Sequence, residues 1–385
     1  MRRTRLFGGL LALLTLLGLV TIFRITFRGL RLEPQRVSQM FQSPIQTPTQ
    51  TPPVPRPSAT PNPNFKAEAI RITGKTPLTA DGRFGGSTLG VAWSPDGEKL
   101  AFTKLTGEFI PFTTPKGFAP VTDLWLANIT DRTTEKIADR GKFPIWSPDG
   151  QRLAFVSPID EKLNEIHLFD LATQKSRWIV DNGLSAMWVD SRRLAITMKE
   201  GEIRQYDRTT GISSLLSDLT AGTDGPNSLV GSPHSRWIAI VNGRNLWLVD
   251  RQDPQQRIQL TENFENVFGG LVWSPSGEKV AYVADKSIWM ATIDSEIHAQ
   301  VIYQQNDRGY PWALTWSPGD SVLAFHGPEG IAVINADGSG FQTLLPYGAT
   351  PEESFLFPSW SPSGYMIAVE KNHNVWLLQL AIDRS

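Results

Sequence analysis

Five short segments repeat a serine two positions before an aspartate, a serine or a glycine, and the serine–aspartate pair could do chemistry. WSPDG occupies Trp93–Gly97 and returns at Trp146–Gly150, and WSPSG, WSPGD and WSPSG start at residues 273, 316 and 360. Such an aspartate could ligate a metal ion, act as a general base, or accept hydrogen bonds inside a turn. The substitutions favour the turn, because four matching positions carry His234, Ser276, Gly319 and Ser363.

The other chemically capable residues form no recognisable catalytic or metal-binding set. The five histidines are scattered, and none belongs to an H-E-x-x-H motif. The nearest approach to a G-x-S-x-G nucleophile elbow is Ser87 in GGSTLG, which lacks the last glycine. The chain has no cysteine, which excludes disulfides and thiolate metal sites. We therefore expect a protein that is not an enzyme and uses neither a metal nor a cofactor.

Charge is distributed unevenly along the 385 residues. Residues 1–66 contain nine basic residues and one acidic residue, whereas the remainder contains 28 basic and 37 acidic residues. A folded part with an acidic surplus is a poor nucleic-acid binder, because phosphate neutralisation requires clustered Lys and Arg. We expect no nucleic-acid partner.

The first 66 residues have the composition of a membrane anchor followed by a spacer. Leu6–Phe23 are eighteen uncharged, mostly apolar residues, which as a helix would extend about 27 Å, close to the thickness of the hydrocarbon core. The run ends at Arg24 without a small-residue cleavage site, so we predict an uncleaved transmembrane signal anchor over residues 1–32 rather than a cleaved signal peptide. Residues 33–66 are a Pro-rich linker. Arginines flank both ends of the apolar run, so they do not decide its orientation.

The tryptophan of WSPDG marks a repeat that divides residues 67–385 into seven units. Its positions are Trp93, Trp146, Trp188, Gly231, Trp273, Trp316 and Trp360. In the last five units a second apolar run is centred sixteen residues after this landmark. Units of about 42 residues with several short β-prone runs predict an all-β, seven-bladed β-propeller with four strands per blade.

We name the strands of each blade A to D from the inside outward. Strand A ends at the tryptophan, which we expect to pack between neighbouring blades, and SPDG turns the chain into strand B. Strand D is a polar outer strand such as Arg257–Thr261. Only nine residues follow Trp376, so we expect the N-terminal segment Ala69–Thr79 to supply strand D of the last blade and close the ring.

The units Trp93–Phe102 and Trp146–Phe155 resemble the propeller repeat of TolB-like proteins, which are periplasmic components of the Tol–Pal cell-envelope system. Similar repeats occur in the propellers of prolyl-oligopeptidase and dipeptidyl-peptidase families. The resemblance covers residues 67–385 and implies an envelope location and a protein-binding propeller. TolB propellers have six blades and follow a small α/β domain, whereas seven units follow an anchor and a linker here, so Pal is not implied as the partner.

One face of the predicted propeller is the candidate binding surface. The A–B turns and C–D connections share one face and are short, whereas the B–C and D–A connections share the other and vary in length. Blade 1 carries sixteen extra residues in its B–C loop and blade 2 carries five. The insertion Lys104–Val121 is either a small hairpin packed on the blade or a partner-binding patch. Its large apolar residues are Phe109, Ile110, Phe112 and Phe118.

The D–A loops add polar candidates at the mouth of the central channel. They are Arg83, Arg140, Asn182, Asp224, Asn266, Arg308 and Glu353.

We predict a single-pass membrane protein whose propeller lies on the periplasmic side and binds a protein or peptide of the cell envelope through this face. The alternative is a small-ligand or glycan site at the channel mouth, with lyase or hydrolase chemistry. A purely structural subunit of an envelope complex is a third hypothesis.

Overall fold

The computed structural model describes residues 65–383 with internal gaps. The gaps are 83–90, 113–116, 160–163, 200–201, 218–228, 232–235, 243–244, 254, 262–266, 294–296, 306–309 and 351–352. Within the described residues the strands form seven four-stranded antiparallel sheets, which confirms the all-β, seven-bladed prediction. The predicted anchor Leu6–Phe23 and most of the linker lie outside the described residues. Residues 65–383, as far as they are described, include no helix that is both long and apolar enough to cross a bilayer.

Each blade follows the predicted A-to-D order. Blade 1 consists of Val91–Trp93, Lys99–Phe112, Gly117–Asn128 and Thr134–Ala138. Blade 2 consists of Lys142–Trp146, Arg152–Pro158, Asn164–Asp170 and Lys175–Asp181. Blade 3 consists of Gly183–Trp188, Arg193–Met198, Ile203–Asp207 and Ile212–Ser217. Blade 4 consists of Leu229–Gly231, Trp237–Asn242, Asn245–Asp250 and Arg257–Gln259.

The remaining blades complete the set. Blade 5 consists of Val267–Trp273, Lys279–Ala284, Ser287–Thr292 and His298–Gln304. Blade 6 consists of Trp312–Trp316, Val322–Gly327, Gly330–Asn335 and Gln342–Pro346. Blade 7 consists of Leu356–Trp360, Met366–Lys371 and Asn374–Ile382, with Ile70–Pro77 as its outer strand. A short 3-10 helix, Ala67–Ala69, precedes that outer strand.

The outer strand of blade 7 comes from the beginning of the described chain. Ile70–Pro77 pairs antiparallel with Asn374–Ile382, with one register shift. Phe65 packs on Trp360 with ring centroids 5.9 Å apart. Both ends of the described chain therefore contribute to one sheet.

The WSPDG tryptophans connect neighbouring blades. Five of them donate the indole N–H to a carbonyl oxygen of the preceding blade's strand A, at 2.9 to 3.3 Å. The pairs are Trp93 to Ser359, Trp146 to Ala92, Trp188 to Ile145, Trp273 to Val230 and Trp316 to Val272. These indoles are at most 9% exposed. Each one fills the space between two blades and satisfies a backbone acceptor, which confirms the predicted packing role.

Two blades depart from this arrangement. Trp360 donates its indole N–H to Gly364 O within its own turn. In blade 4 the landmark is Gly231, and a Cβ built there would lie 1.6 Å from Met187 Cε. Met187 of blade 3 therefore occupies the space that a side chain at this position would need.

The SPDG residues form turns, as predicted. Asp96 Oδ1 accepts hydrogen bonds from Ser94 Oγ at 2.6 Å and from Glu98 N at 2.9 Å, and Gly97 has a φ of 71°. Asp149 accepts equivalent bonds in blade 2. Burial raises the pKa of Asp96, but its hydrogen bonds outweigh burial and hold that pKa below the usual value. These carboxylates therefore stabilise their own turns.

Candidate partner-binding face

We call the face with the B–C and D–A connections the upper face. It bears a long β-hairpin on blade 1. Strands B and C of this blade pair from Lys99 opposite Asn128 to Phe112 opposite Gly117, with a register shift between Leu105 and Phe109. The insertion is therefore a hairpin, and it continues strands B and C of the blade.

Three contacts anchor the base of this hairpin. Lys104 Nζ lies 2.9 Å from Asp81 Oδ2 and 4.0 Å from the centroid of the Trp125 ring. Because Lys104 is only 9% exposed, solvent screens its ion pair and its cation–π contact less than it would at the surface. Thr106 Oγ1 also donates to Val121 O at 3.1 Å. These contacts fix where the hairpin leaves the blade.

The upper face exposes large apolar and aromatic side chains. Those at least 39% exposed on this face are Phe109, Ile159, Tyr310 and Tyr347. Among the four predicted residues, Phe109 is thus exposed. The other three lie on the paired strands of the hairpin: Ile110, Phe112 and Phe118. Exposed aromatic and aliphatic side chains on one face are typical of protein interfaces.

Arg140 links the two longest B–C connections. Its Nη1 donates to Ile159 O of blade 2 at 3.0 Å, and its Nη2 lies 3.7 Å from Glu108 Oε2 of the blade 1 hairpin. Its backbone N–H donates to Asp123 Oδ1 at 3.2 Å. The side chain is half exposed, so the ion pair itself contributes little to stability. Its effect is geometric, because it holds the hairpin and the blade 2 loop side by side.

The other predicted loop residues are not gathered around Arg140. The carbonyl of Asn182 accepts from Lys199 N at 2.8 Å, and Glu353 Oε2 accepts from Ala349 N at 3.0 Å. Within the part of the chain that the structure describes, neither has a hydrogen bond or ion pair to Arg140 or to the hairpin. Four predicted residues lie outside the described residues: Arg83, Asp224, Asn266 and Arg308.

Sequence reasoning missed an aromatic cluster between blades 6 and 7. His326 is 4% exposed, and its ring centroid lies 4.4 Å from that of Trp312 and 5.3 Å from that of Tyr347. Trp312 packs edge-on against Phe357 of blade 7, with centroids 4.5 Å apart. The cluster therefore joins the upper ends of two inner strands.

The hydrogen bonds of His326 define its tautomer. Tyr347 Oη lies 2.9 Å from both His326 Nε2 and Gly327 O. A carbonyl oxygen only accepts, so the hydroxyl proton points to Gly327 O and Nε2–H donates to Tyr347. Nδ1 is left as a buried acceptor without a partner among the described residues. Burial lowers the pKa of His326 to about 3, so the ring is neutral at physiological pH.

The inner strands of blades 2, 6 and 7 share an irregularity at their upper ends. Three residues before each tryptophan, the backbone adopts a φ of 52 to 53° and the strand register shifts. These residues are Phe143, Ala313 and Phe357. A bulge of this kind redirects the neighbouring side chain, which is a different residue type in each blade: Lys142, Trp312 and Leu356. Burial lowers the pKa of Lys142 to about 8.

His326 and Glu370 occupy the same position in adjacent blades, ten residues after the landmark in strand B. The five other blades carry an uncharged residue there: Thr103, Val156, Met198, Val241 and Val283. Glu370 is 8% exposed, and burial raises its pKa to about 7. Its carboxylate Oε1 lies 3.6 Å from His373 Nδ1. Aligning the repeats by their tryptophans would have revealed both ionisable residues from the sequence.

Known structures share the fold of this chain. No family model matches it, so the resemblance to TolB-type repeats stays a prediction. A chain of the mitotic checkpoint complex is 14% identical and superposes with a TM-score of 0.59, over 89% of this chain and 99% of that one. An oligogalacturonate lyase from Vibrio parahaemolyticus is 14% identical with a TM-score of 0.59, over 80% and 95%.

A TolB structure from Acinetobacter baumannii is also similar, at a lower level. It is 16% identical with a TM-score of 0.44, over 74% of this chain and 64% of that one. That score is too low to support any conclusion about this chain. At 14% identity, the likeness to the other two structures shows the propeller fold alone. The described residues contain no group of three or more His, Asp or Glu side chains placed to hold a metal ion.

Proposed function

We propose that this chain is a TolB-like, non-catalytic propeller that binds a protein or peptide of the cell envelope through its upper face. The observation that carries the proposal is that Arg140 contacts both the blade 1 hairpin and the blade 2 loop. It places two exposed apolar residues, Phe109 and Ile159, on adjacent connections above a rigid frame. The propeller in the mitotic checkpoint complex shows that this architecture serves protein assembly elsewhere.

Photo-crosslinking tests this proposal in cells that express the full chain. A photoreactive phenylalanine analogue at Phe109 or at Ile159 should give an adduct with the same partner protein. Arg140→Ala should reduce both adducts several-fold, since it frees the hairpin from the loop. The matched control is the analogue at Trp178, which is 54% exposed but lies on the outer strand of blade 2. Adducts at Trp178 with none at Phe109 and Ile159 would place the interface elsewhere.

The membrane part of the proposal rests on the sequence of the first 66 residues. Leu6–Phe23 are the proposed single span, residues 33–66 are the tether, and the propeller lies on the periplasmic side. We also propose that the pairing of Ile70–Pro77 with the last strand closes the ring and attaches the tether to blade 7.

Protease accessibility tests the location. In intact cells the propeller should resist an added protease, and it should become cleavable once the outer membrane is permeabilised. Cleavage should then leave a membrane-bound fragment that contains Leu6–Phe23. A cytoplasmic protein marker provides the control, because it must stay intact under both conditions. Protection of the propeller until the inner membrane is lysed would place it in the cytoplasm instead.

A small-ligand site is the second candidate function, and the His326 cluster favours it. Trp312, which packs on His326, is partly exposed, and its indole could stack on a sugar ring. The oligogalacturonate lyase shows that the fold also accommodates carbohydrate chemistry. An oligosaccharide bound against Trp312 in a soaked crystal would favour this function over protein binding.

A further inference from the structure

We propose that a basic groove between blades 2 and 3 binds a phosphate-bearing anion. The groove has a volume of about 330 Å³ and lies at the outer rim of the face that carries the A–B turns and C–D connections, opposite the upper face. Four cations and one carboxylate line it: Arg152, Lys175, Arg177, Arg208 and Asp170. The lining is therefore strongly positive in a folded part whose acidic residues outnumber its basic ones.

Ion pairs within the described part of the fold neutralise only one of the four cations. Arg152 is neutralised, because its Nε lies 3.1 Å from Asp170 Oδ2. Lys175, Arg177 and Arg208 have no carboxylate at ion-pair distance among the described residues. Other arginines nearby are paired at 2.6 Å: Arg192 with Asp207 and Arg193 with Asp190. These three cations have no carboxylate partner in the described ranges, and an anion in the groove would reduce the repulsion among them.

The guanidinium groups of Arg177 and Arg208 are positioned by hydrogen bonds to backbone carbonyls, and each keeps other N–H donors available. Arg208 Nε donates to Ser191 O at 2.8 Å. Arg177 Nη2 reaches from strand D of blade 2 to Arg208 O of blade 3, at 3.4 Å. Guanidinium edges bind phosphate oxygens in bidentate fashion. A phosphate, with up to two negative charges, neutralises this lining better than a carboxylate does.

Two sources could supply the phosphate group. One is a free phosphate compound, and the other is the headgroup of an anionic phospholipid. The lipid source rests on the proposed membrane tether, which would hold the propeller near a bilayer. Leu215, 57% exposed, pairs with Arg204 on strand D of blade 3. Arg204 lies on the same sheet side as Tyr206, which packs against blade 2. Leu215 is therefore an exposed apolar residue on the side of blade 3 that faces blade 2, and it could contact lipid chains there.

The experiment has two arms, both with the full chain. In neutral detergent, inorganic phosphate is titrated by calorimetry. In nanodiscs of phosphatidylcholine, with or without phosphatidylglycerol, hydrogen exchange is measured over residues 173–178 and 208–215. We expect phosphate binding that weakens with added NaCl, protection that requires phosphatidylglycerol, or both. Phosphate binding alone identifies a free compound, and protection alone identifies a lipid.

Two variants decide whether the groove is responsible. Replacing both Arg177 and Arg208 with glutamine should lower phosphate affinity at least tenfold and abolish the lipid-dependent protection. The control Arg192→Gln removes a nearby arginine that is already paired, and it should change affinity less than twofold. The proposal is overturned if neither probe gives a signal, or if the signal persists in the double variant. Because both arms measure the groove itself, loss of the upper-face partner does not affect their outcome.

Discussion

Replacing Trp146 with alanine is expected to lower the free energy of unfolding by about 4 kcal/mol, a typical cost of replacing a buried aromatic residue with alanine. Trp146 is 8% exposed and packs with Leu124 and Phe155 in the core between blades 1 and 2. The substitution opens a cavity between these blades and leaves Ala92 O without its donor at 2.9 Å. Urea unfolding followed by circular dichroism measures the change.

Two further variants separate packing from hydrogen bonding. Trp146→Phe keeps most of the apolar contact but removes the indole N–H, so we expect a loss of about 1 kcal/mol for the hydrogen bond plus a smaller packing term. The control Trp178→Ala removes a tryptophan that is 54% exposed, and it should change stability by less than about 0.5 kcal/mol. Equal losses for Trp146→Ala and Trp178→Ala would show that the repeated tryptophan does not hold the blades together.

The blade count was predictable because its signals are local and repeated. Each SPDG turn specifies its own geometry through hydrogen bonds within five residues, and each tryptophan marks the end of an inner strand. The constant spacing even identified blade 4, whose landmark is Gly231. That Met187 fills the vacant space there was not predictable, since it depends on packing between two blades.

The candidate sites were less predictable because they join residues that have no fixed spacing. Arg140 contacts Glu108 and Ile159, which lie on connections whose lengths break the repeat. Arg177 and Arg208 meet only because neighbouring blades align. Sequence reasoning correctly placed the hairpin and Arg140 on the upper face. It gave no reason to distinguish Arg140 from the other D–A loop residues, because a loop residue's contacts depend on tertiary structure.

Glu370→Gln is expected to stabilise the protein at pH 8 by about 3 kcal/mol and to leave its stability unchanged at pH 4. Burial raises the pKa of Glu370 from 4.5 to about 7 in the folded state. Below pH 4.5 the carboxyl is protonated in both the folded and the unfolded chain, so it has no destabilising effect. Between pH 4.5 and about 7 the unfolded chain ionises this carboxyl while the folded chain keeps it protonated, so stability falls across that window. Glutamine is neutral throughout and avoids this loss.

Urea unfolding of the wild-type protein and of Glu370→Gln between pH 4 and pH 8 measures the difference in their free energies of unfolding. This difference should grow with pH and level off above about pH 7. His326 affects stability in the opposite direction, because its lowered pKa makes acidification destabilising below about 6.5. It is present in both proteins, so its effect cancels in the difference. Glu135→Gln, at an exposed position of blade 1, is the control for the loss of a carboxylate as such. A difference that stays constant at all pH values would contradict the prediction, because it would mean that folding does not raise the pKa of Glu370.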